Sequence, residues 1–284
     1  MTDGWFADLD PDDEAAAAER IASGRAEAPD DWPATAVDAG FAEDIDDYYD
    51  RLHAATTAAT EAAVTERETA DDQQLVHAVR AMADCERTAN ELAERVAEWG
   101  NSRYGEDGSG VGFARHVAEG ELGEGDDRGD RGDRALRGLA ERVVAVSEEA
   151  DGLRAYIERT APAVAPNLSM LAGPVLAARL ISLSGGLESL AKQPSGTVQV
   201  LGAEDALFAH LSGGAPSPKH GIIFTHEYVS GTRREERGSA ARALAGKLAI
   251  AARIDHYSGD RRPDLQRELD ERMERIRSRG GDGE

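Results

Sequence analysis

A mostly α-helical protein is what the sequence predicts: a small N-terminal region, a coiled-coil helical hairpin, then an all-helical C-terminal domain. Three observations point there. Aromatic residues make up only 5% of the 284 and alanine is abundant, so the core has to be built from Leu, Val, Ile and Ala. Thin apolar content of that kind suits paired helices better than a thick sandwich, and the length is ample for a proper core. An apolar stripe with helical steps of three and four runs from Leu136 to Ile157. Several further helical stretches are then separated by Gly or Pro.

Residues 1–70 form the first region. Up to about residue 50 they are rich in Asp and Ala, with Pro11, Pro29 and Pro33 as breaks. A short helix is expected from Glu14 to Ser23 and another starting near Asp44. Low hydrophobicity and high net charge fit either a small, thinly packed domain or a loosely ordered arm.

Residues 71–165 are expected to form the hairpin. From about Ile45 to Trp99 the chain reads as helix, and its later part carries Leu75, Val79, Met82, Ala89, Leu92, Val96 and Trp99 near helical spacing. Between Met82 and Ala89 the seam has to be filled by Cys85 or Glu86, and Gly100 supplies a stop signal. Residues 100–133 contain the low-complexity run Gly125-Asp126-Asp127-Arg128-Gly129-Asp130-Arg131-Gly132-Asp133, which reads as a solvated loop. In the second arm Leu136, Leu139, Val143, Val146, Ala150, Leu153 and Ile157 keep an unbroken alternation of three and four, the mark of a coiled-coil seam. Pro162 and Pro166 are expected to end it. Two seamed arms joined by a polar loop are the natural partner of a second copy. The dimer seam is therefore expected at Leu75, Val79, Met82, Leu92, Val96, Leu136, Leu139, Val143, Val146, Leu153 and Ile157; an ordinary two-helix core is the alternative.

From residue 166 to 259 the pattern changes to shorter helices, Leu168 to Leu183, Gly202 to Leu211 and Ser239 to Tyr257, with Gly185-Gly186 as a tight junction. Ile222-Ile223-Phe224 reads as buried irregular or extended chain. Residues 260–284 hold one more helix, Asp264 to Arg277, expected to extend from the domain, and a tail.

Charge is distributed unevenly. Residues 1–165 carry 16 Arg and no Lys against 40 Asp and Glu, a net of −24; residues 166–257 carry 9 basic against 7 acidic, a net of +2. All three lysines, Lys192, Lys219 and Lys247, lie in that exempt segment, which points to a polyanion-facing surface. The acidic remainder reads as the surface of a halophilic, cytoplasmic protein kept soluble in molar salt, or as an acidic chain that meets a basic partner.

Catalytic chemistry is not expected. The chain has no G-x-x-x-x-G-K-[ST], no G-x-G-x-x-G between strand and helix, no G-x-S-x-G and no H-E-x-x-H. The seven histidines, His53, His77, His116, His210, His220, His226 and His256, are scattered, so neither a metal site nor a cofactor is expected. Cys85, the single cysteine, excludes an internal disulfide or a cysteine-rich zinc site and reads as a small seam hydrophobe. No run of 18 apolar residues exists, so no membrane span is expected, and the start lacks the features of a signal peptide. Lys219, Arg233, Arg234, Arg237, Arg242, Lys247 and Arg253 place basic groups on one loop and the helix after it. Such groups position an RNA by its phosphates, or form a solvated face whose Arg stems lie over alanine.

The string from Pro166 to Gly259 resembles the NOP domain of box C/D ribonucleoprotein scaffolds, above all the archaeal Nop family. The matching pieces are APNLSMLAGPVLAARLISLSGGLESLAKQPSGTVQVLGAEDALFAHL, SPKHGIIF and RGSAARALAGKLAIAARIDHYSG, and LVHAVRAMADCERTANELAERVAEW is similar to the first arm of the family's coiled coil. The resemblance implies a coiled-coil homodimer whose NOP domain clamps a kink-turn RNA already bound by a small ribosomal-type protein. It also implies an N-terminal domain that holds the methyltransferase fibrillarin, so that 2′-O-ribose methylation of rRNA or tRNA is catalysed by the partner. A kink-turn scaffold without a methyltransferase, and a coiled-coil protein-interaction module, stand as the other readings. By motif, Lys219 and His220 would approach the RNA together with Arg237, Arg242 and Lys247, and Lys192 and Gln199 would introduce that face. Gly202, Ala203, Glu204, Asp205, Leu207 and Phe208 would meet the composite RNA–protein surface. Where the family usually has cations, this chain has Asp205, Ala209 and Ser239, which shifts the expected grip from charge to shape and desolvated contacts such as Phe208. The family's N-terminal domain is usually about twice as long as residues 1–70 and carries a small sheet, of which only Trp5-Phe6-Ala7 hints at a first strand.

Overall fold

The computed structural model describes residues 4–25, 30–121 and 131–278, which fall into two compact units, residues up to Ala70 and residues from Asp71.

In the first unit, carboxylates start the helices. Asp13 accepts a hydrogen bond from the Ala16 amide and opens α1 (Glu14–Ser23); Asp44 accepts from the Asp47 amide and opens α3 (Ile45–Thr69). Each satisfies an amide that the first helical turn leaves without a partner. Between them lies α2 (Trp32–Asp38). The core is a cluster of aromatics: Trp5 meets Phe41 edge-on at 5.3 Å, Phe6 stacks on Phe41 at 5.5 Å, and the Trp5 indole donates to the Tyr48 hydroxyl at 3.2 Å. A region with so few large aliphatic residues thus gains its burial from four rings, at about 1.5–3 kcal/mol each. Trp5 and Phe6 belong to a turn; the strand they hinted at does not form, and no strand occurs among the described residues. The expected continuous helix from Ile45 to Trp99 is interrupted at Ala70, where ψ is 142°.

In the second unit, α4 (Asp71–Tyr104) and α6 (Arg131–Val164) form the expected antiparallel hairpin. Leu75, Val79 and Met82 pack with Ile157 and Ala161 at one end, while Ala93 and Val96 pack with Leu136, Ala140 and Val143 at the other. The stripe expected as a dimer seam therefore closes the hairpin on itself. Leu75, Val79, Met82, Val96, Leu136, Val143 and Ile157 are buried within one chain, and Leu92, Leu139, Val146 and Leu153 are half-buried. At the irregular step in that seam Glu86 and Cys85 are both half-buried. Glu86 pairs with Arg154 of α6 and, at 3.5 Å, with Arg179, so one carboxylate ties three helices.

Two expectations for the tip are corrected. Gly100 does not stop the first arm, which continues to Tyr104; Gly100 is buried, and a Cβ there would lie 2.8 Å from the Phe113 ring. Part of the expected loop is instead helix α5 (Gly110–Glu119), whose Phe113, Ala114 and Val117 fill the space between the arms. Most of the Asp/Gly/Arg run lies outside the described residues, although Arg131, Gly132 and Asp133 open α6. Pro162 sits inside α6, where only two residues follow it, so little of the helix loses its hydrogen bonding.

The remaining elements accompany α13 (Arg237–Tyr257), the longest helix after the hairpin. They are α7 (Pro166–Ala172), α8 (Pro174–Ser184), α9 (Leu187–Lys192), α10 (Ser195–Val200), α11 (Glu204–Leu211), a 3₁₀ turn (Ile222–Thr225), α12 (Glu227–Ser230) and α14 (Asp264–Ser278). α13 buries Ala240, Ala241, Leu244, Ala245, Leu248, Ala249, Ala251 and Ala252, and such small residues let several neighbours approach one helix at once. The single helix expected from Leu168 to Leu183 is two, bent by 117° at Gly173, whose φ of 77° a side chain would disfavour. Asp255, on the last turn of α13, accepts from the Asn167 amide, the Asn167 side chain and the Leu168 amide, which fixes the start of α7. α14 does not project as expected. Leu265, Leu269, Met273 and Ile276 enter the main core, Tyr228 donates to Asp270, and Arg277 lies 5.5 Å over the Tyr228 ring. Burial, and then the Asp270 hydrogen bond, push the Tyr228 hydroxyl up to about 12. Among the described residues no single helix is long and apolar enough to cross a membrane, and the bent pair α7–α8 is largely buried in the core.

Candidate RNA and partner interface

The backbone between α10 and the 3₁₀ turn folds back on itself. Gly221 donates to the Gln199 carbonyl at 2.8 Å and Ile222 to the Leu201 carbonyl at 2.7 Å. Only glycine fits this crossing, because a Cβ on Gly221 would stand 1.9 Å from the Leu201 carbonyl oxygen. Residues 202–220 thereby emerge as a lobe pinned at its base.

The Gln199 side chain adds to the pin by donating to the Lys219 carbonyl at 2.7 Å, and the Lys219 ammonium is left exposed. Next to it the His220 ring stacks on Phe224 with centroids 4.6 Å apart. The Arg237 guanidinium lies 5.3 Å from the same Phe224 centroid and donates to the carbonyls of Thr232 at 3.0 Å and Ser230 at 3.3 Å. Burial first, then the charge of Arg237, holds the His220 imidazole below its ordinary pKa, so it is a neutral ring at physiological pH. Lys219, Gln199 and Arg242 line one groove of about 490 Å³ with Gly196, Ser217, Gly238 and one carboxylate, Glu235.

Of the site residues singled out in the sequence, the structure thus brings together Gln199, Lys219 and Arg242, with His220 and Arg237 alongside. Three others are engaged elsewhere, among them Arg253, which donates to the carbonyls of Ala191 at 3.1 Å and Gln193 at 3.0 Å. Lys192 pairs with Glu188 on the exposed side of α9, outside the groove. Lys247, one-fifth exposed, is paired with Glu268 of α14, so its charge is already compensated. On the lobe, α11 buries none of its residues, and Phe208 and Leu211 are 67% and 72% exposed. Leu207 and Ala203 are half-buried, whereas Glu204 accepts from the Gly202 amide at 2.8 Å, just before the helix starts. Asp205 is exposed in the first turn. Sequence reasoning missed Phe224 as the stacking partner and Gly221 as the crossing point. For Gly221 the only available signal was its place after Pro-Lys-His, which does not disclose a backbone contact. Among the described residues no group of three or more His, Cys, Asp or Glu could hold a metal ion.

The family model described as "Nop: snoRNA binding domain, fibrillarin" matches residues 123–277, more than half of the chain. The chain belongs to the Nop family. The match runs through α14, in keeping with the place of that helix in the core. Among relatives, an uncharacterized NOP5 family protein of Methanocaldococcus jannaschii is 34% identical over 269 residues, covering 84% of this chain and 65% of the relative. Nucleolar protein 56 of Dictyostelium discoideum is 44% identical over 120 residues, covering 42% of this chain and 22% of its own length. Nucleolar protein 58 of Botryotinia fuckeliana is 31% identical over 218 residues, 66% of this chain and 38% of that protein. The chain therefore spans less than two thirds of each of these relatives. A chain in the crystal structure of a fibrillarin/Nop5p complex matches with a TM-score of 0.53 at 25% identity, over 92% of both chains. A match that wide reaches into the N-terminal unit of the Nop chain described here.

Proposed function

We propose that this Nop-family chain is a non-catalytic core scaffold of a cytoplasmic box C/D guide ribonucleoprotein directing 2′-O-ribose methylation of rRNA or tRNA. The observation that carries the reading is that the Nop match over residues 123–277 contains both the Lys219–Arg242 groove and the exposed α11. In this reading Lys219 and Arg242 contact RNA phosphates, and Gln199, His220 and Arg237 hold the turn that presents them. Phosphate contacts of this kind set position and leave sequence choice to the guide. Phe208 and Leu211, with Gly202, Ala203, Asp205 and Leu207 at their side, meet the small kink-turn-binding protein. With Asp205, Ala209 and Ser239 in place of cations, the grip depends on fit and desolvation, which molar salt does not screen. Fibrillarin supplies the chemistry. A second copy joins at the outside of the hairpin, where Trp99 and Tyr156 are exposed, since the seam is occupied within the chain.

The test mixes purified chain with a kink-turn RNA, with and without the small ribosomal-type protein, at high salt. A complex that requires both components supports the scaffold; no complex in either mixture overturns it. Co-purification with fibrillarin separates a methylation scaffold from a kink-turn scaffold that lacks the enzyme.

A further inference from the structure

A second groove of about 660 Å³ lies between α13 and α14, continuous with the first through Ser239 and Arg242, which line both. Its walls are two facing helical stripes. On α14, Glu268, Glu271, Arg272 and Arg275 follow one another at helical spacing beside the buried stripe of Leu265, Leu269, Met273 and Ile276. On α13 the corresponding stripe runs from Ser239 through Arg242 to Lys247. Within this groove Lys247 and Glu268 cancel each other as an ion pair. What is left is three guanidinium groups, Arg242, Arg272 and Arg275, against the one carboxylate of Glu271. Arg272 and Arg275 are exposed, and the Arg275 guanidinium donates to the Glu271 carbonyl at 3.2 Å. A cationic groove on a chain of net charge −23 stands out against its surroundings. Each guanidinium offers a planar fork of donors, the geometry that phosphate oxygens accept.

We propose that this groove binds RNA, carrying the phosphodiester backbone of the stem beyond the kink-turn along α14. The proposal rests on the RNA reading of the first groove, with which it shares Arg242. RNA is favoured over an acidic protein because the two grooves join at Ser239 and Arg242 and each is lined by more cations than carboxylates.

The experiment compares two kink-turn RNAs, one with short stems and one with a stem lengthened by a helical turn. Each is titrated with full-length chain in the presence of the small kink-turn protein. The chain is either unchanged or the double variant Arg272→Ala, Arg275→Ala, which keeps good helix formers on α14 and is checked for folding by circular dichroism. The unchanged chain is expected to bind the long RNA more tightly than the short one. The double variant should lose that gain while binding the short RNA normally. Two lost phosphate contacts should also flatten the salt dependence: over a fourfold rise in salt, the unchanged chain loses about tenfold more affinity for the long RNA than the variant does. A second variant, Glu271→Gln, removes the groove's uncompensated carboxylate and should tighten binding to the long RNA only. Equal affinities of the unchanged chain for both RNAs, or a double variant that keeps the gain, overturn the proposal and leave the first groove standing; an acidic protein partner on α14 would give that result. Failure of the unchanged chain to bind either RNA removes both readings.

Discussion

Gly221→Ala is the sharpest test of how the lobe is held. The added Cβ would stand 1.9 Å from the Leu201 carbonyl oxygen and 2.6 Å from the Val200 carbonyl carbon, both backbone atoms that no rotamer change can move. Restoring even a tight contact of about 3.0 Å requires the two segments to part by about 1.1 Å. The bonds from Gly221 to Gln199 and from Ile222 to Leu201, at 2.8 and 2.7 Å, would stretch to nearly 4 Å and cease to be hydrogen bonds. At about 1 kcal/mol net for each, the cost is about 2 kcal/mol. For a unit of this size that lowers the melting temperature by roughly 4–8 °C. Thermal unfolding followed by circular dichroism measures the shift, and hydrogen exchange locates it at residues 221 and 222. Binding of the kink-turn RNA should weaken as well, because the Gln199–Lys219 contact opens with the pin. An unchanged melting temperature, with those two amides still protected, would refute the close crossing and with it the account of the lobe.

Asp255→Asn turns one acceptor of a buried three-bond cap into a donor, which should cost about 3 kcal/mol, read as a lower denaturant midpoint. Lys219→Glu should weaken ternary binding of the short-stem RNA without unfolding the domain, whereas Lys247→Ala, at a charge already paired with Glu268, should alter that affinity far less. Gel-shift titration ranks the two, and equal losses would contradict the assignment. His226 accepts from the Tyr228 amide through Nδ1, so Nε2 carries the proton that it donates to the Leu171 carbonyl at 3.1 Å. Burial depresses its pKa below the ordinary 6.5, so the unfolded chain takes up the proton first and stability falls as pH drops below about 6.5. Unfolding midpoints at pH 7.5 and 5.8 check the sign for the unchanged chain, and His226→Gln should reduce the difference.

Much of the fold was legible because it is written in local periodicity. The alternation from Leu136 to Ile157 needed no tertiary knowledge, and the short helix expected from Glu14 to Ser23 coincides with α1. What failed to show was decided by contacts between distant residues. Gly100 reads as a breaker until Phe113 is seen lying over it, and α5 is hidden because Gly110, Gly112 and Gly120 mask Phe113, Ala114 and Val117. α14 was misjudged for its charge, although Leu265, Leu269, Met273 and Ile276 already marked a buried stripe. In the candidate site the cations could be named but not sorted. Whether Lys247 is free or paired depends on Glu268, which lies on another helix 21 residues later.

The Glu86 junction has a mechanical consequence. From Glu86 to the end of α4 at Tyr104 the first arm continues for 18 residues, about 27 Å at 1.5 Å per residue. A tilt of about 10° at that fulcrum would carry the tip through roughly 5 Å, more than the width of a hydrogen-bonded contact. Glu86, paired with both Arg154 and Arg179, ties the middle of the arm to two other helices and limits that tilt. Whatever docks at the far end is aimed by the apolar packing of the two arms together with this mid-arm carboxylate.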